Sequence, residues 1–292
     1  MASIIKRLTA LFLITFLCMT AQAIEPVGNG VGQYQQMACG GAGCVVVGSG
    51  RIAACRSNNC NTQTLSGAIP QSSVACDDSG CIVSGSNSIA ACAGSNCTTH
   101  SLRGATPQAS VACGESGCIA VGSERIQACS GSRCTSQPLV GATPDSGLAC
   151  GLAGCIAVGS ARVQSCSGNR CSSENLVGAT PASSVDCGDA GCIAAGSARI
   201  LACAGSRCGS RDLVGGLPGS NVACGESGCV AVGSGRIAAC LGNRCNGRSL
   251  TGATPGSVLA CGARGCMVSG QGSVAACGGT TCSTRTLTGA TP

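Results

Sequence analysis

The residues with the most chemistry to offer in this chain are its cysteines. Of 29, Cys18 stands alone near the N-terminus, and the other 28 fall into quartets spaced C-x4-C-x10-C-x4-C. They are Cys39, Cys44, Cys55 and Cys60; Cys76, Cys81, Cys92 and Cys97; Cys113, Cys118, Cys129 and Cys134; Cys150, Cys155, Cys166 and Cys171; Cys187, Cys192, Cys203 and Cys208; Cys224, Cys229, Cys240 and Cys245; Cys261, Cys266, Cys277 and Cys282. Thiols at this density make disulfides or hold metal. Four residues between two cysteines suit a short antiparallel hairpin, whose facing Cα atoms stand about 4.5 to 5.5 Å apart, within reach of a bridge. Neighbouring strands lie about 4.8 Å apart, so joining the first cysteine to the third or fourth would cross roughly 10 or 14 Å. First-to-second and third-to-fourth pairing is therefore expected throughout. The resulting straight row of sulfurs is a poor tetrahedral cage, and no metal or cofactor is expected.

Arginine is the second informative residue. Arg51, Arg125, Arg162, Arg199 and Arg236 recur at one place in five quartets, and Arg133, Arg170, Arg207 and Arg244 at another. The first set has little negative charge nearby except Glu124 and could bind sulfate, carboxylate or phosphate groups. Catalytic chemistry has few other materials. The lone histidine, His100, has no Ser-His-Asp or HExxH setting, every quartet cysteine is committed to a bridge, and the acids Asp77, Asp78, Glu115, Asp189 and Glu226 suit turns. No catalytic residue is assigned and the expectation is a non-enzyme.

The elements that must hold these side chains follow from the repeat. The first cysteine recurs every 37 residues, and seven units tile 34–292 as 34–70, 71–107, 108–144, 145–181, 182–218, 219–255 and 256–292, with no insertion. Within unit 3, short β-branched runs alternate with Gly/Ser punctuation and show no helical period. This predicts four strands: one ending at Cys113, then 118–122, 125–129 and 134–141, with a four-residue loop inside each C-x4-C. The expected fold is all-β, a seven-bladed β-propeller of four-stranded, disulfide-stapled blades. The alternative is a disulfide-rich β-solenoid.

Residues 1–23 read as a secretory signal peptide: Lys6 and Arg7, an apolar run from Leu8 to Met19, then Ala21-Gln22-Ala23. Residues 24–33 form an N-terminal segment before the repeats. The apolar run is too short for a membrane span and no other stretch approaches that length. The expected location is secreted, periplasmic or at the cell surface, an oxidising setting that suits the cysteines.

The unit SVAC…CIAVGS.RI.AC.G..C resembles the repeats of secreted Asp-box (BNR-like) β-propellers, whose blades run V-x-C…C-x-A-V-G…G-x-I before a Gly-containing hairpin. The resemblance covers 34–292 and implies the propeller fold. It does not carry a sialidase-like activity, because CSGSRC stands in the hairpin where those families place the Ser/Asp and aromatic of their box.

The function expected from these readings is a non-enzymatic binding module for a glycan, an anionic surface or a protein, acting through Arg51, Arg125, Arg162, Arg199 and Arg236. The alternative is a structural, matrix or surface protein, a rigid scaffold locked by disulfides. Nucleic acid is an unfavourable partner: aromatic residues make up 1% of the chain, and its single lysine lies in the leader. The oligomeric state is not legible.

Overall fold

The computed structural model describes residues 36–289; the leader and N-terminal segment read above lie outside them. Glycine and β-branched residues keep every unit to short extended runs joined by tight turns. In unit 3 these are Val111–Gly114, Gly117–Val121, Arg125–Ser130 and Arg133–Pro138, hydrogen-bonded in sequence order, and every other unit repeats the pattern. The molecule is all-β: seven four-stranded antiparallel sheets.

Three boundaries differ from the expectation, the slightest being the end of the second strand at Val121, not 122. The loops inside each C-x4-C have two residues, not four, because the ladder continues one pair beyond the cysteines through Gly114 and Gly117. Gly117 (φ 146°) adopts a backbone closed to other residues, so glycine lets the strands run on to the turn. The fourth strand stops at Pro138, not 141. There the Leu139 N–H leaves the ladder to donate to the Glu124 carbonyl, and Gly141 (φ 69°) turns the chain toward the next unit.

The four cysteines of a unit form one row, Cys113 opposite Cys118, Cys118 opposite Cys129, Cys129 opposite Cys134. Fourteen bridges join first to second and third to fourth, with Cα atoms 4.0 Å apart in Cys113–Cys118 and Cys129–Cys134. A loop this short limits each bridge to roughly 2 kcal/mol of chain-entropy stabilisation.

Sheets stack face to face. The leading face of unit 3 (Ile119, Val121, Ile126, Ala128 and Leu139) buries itself against the trailing face of unit 4 (Cys155, Ala157 and Cys166). Cystine sulfur thus fills the place that aromatic rings take in other cores. In units 3 to 6 the second strands are covered on both faces, so they are apolar at every position instead of alternating. First strands of consecutive units approach most closely, and fourth strands stand further apart, although those of units 5 and 6 still touch. This is the radial wedge of propeller blades, whereas the coils of a solenoid keep an even spacing.

Six core clusters occupy the six junctions from unit 1 to unit 7. Among the described residues no such cluster joins unit 7 to unit 1. Met267 on the leading face of unit 7 is 59% exposed, and Met37 on the trailing face of unit 1 is 63% exposed.

Candidate anion-binding rim

The turn between second and third strands sets the position of the repeated arginine. In unit 3 Glu124 sits at φ 59°, its N–H donating to Ala142 (2.9 Å) and its carbonyl accepting from Leu139. Asn87, Ala161 and Ala198 hold the same left-handed conformation, and glycine takes it in units 1, 6 and 7. Bolted in this way to the crossover of its own unit, the turn delivers the next residue to the rim at the start of the third strand. Arg51, Arg125, Arg162, Arg199 and Arg236 are all exposed there.

Three of these side chains, those of Arg125, Arg162 and Arg199, lie across the fourth strand of their own blade. The Arg125 Nε donates to Ser136 Oγ (3.1 Å), and an Arg162 terminal nitrogen donates to Ser173 Oγ (3.3 Å). Arg199 pairs with Asp212 at 2.9 Å, with both side chains largely solvated. Such a pair contributes about 0–1 kcal/mol. Each guanidinium keeps further N–H donors for an incoming oxyanion. The five arginines share a rim but do not converge on one point.

Near the first strands of units 1 to 4, on the same face, lies a depression of about 620 Å³, and no arginine lines it. Gln36, Gln71, Gln108 and Asp145 rim it, with hydroxyls from Ser73 and Ser110. Units 5 to 7 carry Ala182, Gly219 and Gly256 where Gln71, Gln108 and Asp145 stand.

A third arginine series departs from the unit consensus. On the fourth strand the register position holding Gln63, His100, Gln137 and Glu174 in units 1 to 4 holds Arg211, Arg248 and Arg285 in units 5 to 7, each exposed and opposite Ile200, Ile237 and Val274. The sequence signal was present as a departure from the repeat. Residues 182–289 carry eight arginines and four acids, against seven arginines and six acids in 36–181. The basic surface is therefore concentrated in one sector.

Other titratable groups serve the scaffold. The imidazole of His100 bonds through Nε2 to the Ser132 carbonyl of the next unit (3.1 Å). A carboxylate oxygen of Asp78 accepts from the Gly41 N–H, and Asp186 accepts from Cys187 and from Cys224 of the following unit. Among the described residues no three of His, Cys, Asp and Glu assemble as a metal site.

No family model matches the chain, and no curated protein matches it. Among solved structures it is similar to PorZ, an essential bacterial surface component of the type-IX secretion system of Porphyromonas gingivalis, at 8% identity and TM-score 0.34, covering 84% of this chain and 37% of that one. It thus spans little more than a third of PorZ. Apo AztD from Citrobacter koseri is similar at 8% identity and TM-score 0.42, covering 88% and 87% of the two chains. Hsv2 of Kluyveromyces lactis follows at 9% identity and TM-score 0.32, covering 82% and 91%. The chain itself is a disulfide-rich β-repeat scaffold of seven blades.

Proposed function

We propose that this scaffold is a non-enzymatic binding module, exported to an oxidising compartment, that holds a polyanionic partner such as a sulfated or carboxylated glycan against its arginine rim. The observation that carries the reading is the crowding of exposed arginine onto units 5 to 7, where Arg199 and Arg236 on the rim flank Arg211, Arg248 and Arg285. Simple copying of a repeat would have spread that charge evenly. Planar guanidinium groups spaced blade by blade suit a ligand that repeats its anions along a chain, with several weak contacts acting together. The Asp-box resemblance enters at the level of the blade alone, because the Cys129–Cys134 bridge encloses the hairpin where a box would stand.

Titration with a sulfated polysaccharide tests the proposal. Binding should be saturable and weaken steeply as salt rises. Changing Arg211, Arg248 and Arg285 together to serine should weaken it at least tenfold, while the same change at Arg51, Arg125 and Arg162 should cost less. Equal affinity for the neutral, desulfated polymer would overturn the reading.

A further inference from the structure

The two ends of the blade array present the two halves of a single interface, and we propose that copies of this chain join head to tail through them, unit 7 of one copy seated on unit 1 of the next. This stands independently of the arginine rim.

The argument is continuity with a junction the chain already makes six times. At each junction a leading-face residue of the second strand is sealed by the following blade: Val45, Ile82, Ile119, Ile156, Ile193 and Val230 are all 0–1% exposed. Met267 holds the same position in unit 7, and its side chain stands in solvent. Ala260 and Ala276 beside it are exposed as well. On the other end, the trailing face of unit 1 offers Met37, Val46 and the Cys39–Cys44 bridge, the counterparts of Val111, Ala120 and the Cys113–Cys118 bridge that unit 2 covers in unit 3. Both ends are apolar, and they are unlike each other in the way that the two sides of every internal junction are unlike.

The backbone is prepared for the same contact. A β-carbon on Gly225 would lie 2.8 Å from the Gly262 carbonyl oxygen, so glycine here lets the first strands of units 6 and 7 approach, and every unit but the second, which has Asp77, carries it. Unit 7 keeps the glycine, Gly262, although a β-carbon there would meet nothing within 4 Å. Five of the six internal junctions, all but that of units 1 and 2, also carry a backbone hydrogen bond from the outer hairpin of one unit to the inner hairpin of the unit before, as in Gly131 to Ser79 (3.0 Å) and Gly279 to Ser227 (2.9 Å). Continued past the end, the donor is the N–H of Ser57, held at φ 53° like its glycine counterparts, and the acceptor is the Arg264 carbonyl. A contact of this type is heterologous: it consumes one leading and one trailing face and leaves one of each, so it propagates.

The test uses two variants at solvated positions, Met267→Arg to spoil the leading end and Met37→Arg to spoil the trailing end, with circular dichroism confirming that both keep their sheet. Sedimentation of the oxidised chain should show mass rising with concentration. Either variant alone should stay monomeric over the same range, since every junction then lacks one half. Mixed in equal amounts, the two should give twice the monomer mass and go no further. A chain that stays monomeric, with no complex in the mixture, would overturn the proposal and mean that the ends are covered within one molecule. Growth that neither variant blocks, or a dimer formed by one variant with itself, would also overturn it.

Discussion

A β-carbon placed on Gly114 would lie 2.7 Å from the Gly151 carbonyl oxygen and 2.8 Å from its nitrogen, and neither backbone atom can swing aside. Gly114→Val should therefore destabilise the protein by about 1–3 kcal/mol, the ordinary range for overpacking a close contact. Gly262→Val occupies the corresponding place in unit 7 with open space around it. In the isolated chain that change should cost nothing measurable, and chemical denaturation of the pair in dilute solution compares them directly. Equal losses would mean that the first strands do not approach as described. The arginines show the same dependence on context. Arg125 and Arg211 look alike in a composition table, yet the first belongs to a copied position and the second replaces Gln63, His100, Gln137 and Glu174. A consensus of the units carries the Arg125 series and averages away the Arg211 series, because a departure from a repeat is visible only in the differences between its units.

Within a blade, strand order, the cysteine row and its pairing were legible because disulfide reach and strand spacing leave a single solution. The hairpin turns are one residue shorter on each side than the cysteine spacing suggests, since the glycines beyond the cysteines still pair. The bridges also do more than the loop-closure argument credits. Cys155 and Cys166 are buried against the preceding blade, whereas Cys39 is exposed at the end of the array. Replacing Cys150 and Cys155 together with alanine should thus cost the roughly 2 kcal/mol of loop closure plus a packing loss of about 1–2 kcal/mol. The same double change at Cys39 and Cys44 should cost closer to the first figure alone. Thermal melts of the two variants under non-reducing conditions check this, and the order of the two losses is the decisive outcome.

On the scale of the whole array, each blade draws its stabilisation from the units before and after it, as in other repeat proteins. Because every unit has 37 residues and presents the same two faces, removing residues 145–181 joins unit 3 to unit 5 in register. This six-unit chain should fold with unchanged sheet signature and a modestly lower melting temperature, having lost one junction of six. Failure to fold would indicate that seven blades are needed to meet around a ring. The relation between the two ends is the part least legible in the sequence, for a physical reason: the end faces carry nearly the same residues as the internal ones, and the placement of the blades alone decides which side chains find a neighbour.

The row of sulfurs has a practical consequence. The chain contains no tryptophan and a single tyrosine, while fourteen cystines run through the blades. In most proteins the near-ultraviolet circular dichroism of a disulfide is drowned by aromatic bands. Here that window belongs almost wholly to the bridges, so optical activity between 250 and 300 nm becomes a built-in gauge of how many staples are closed as a reductant is added.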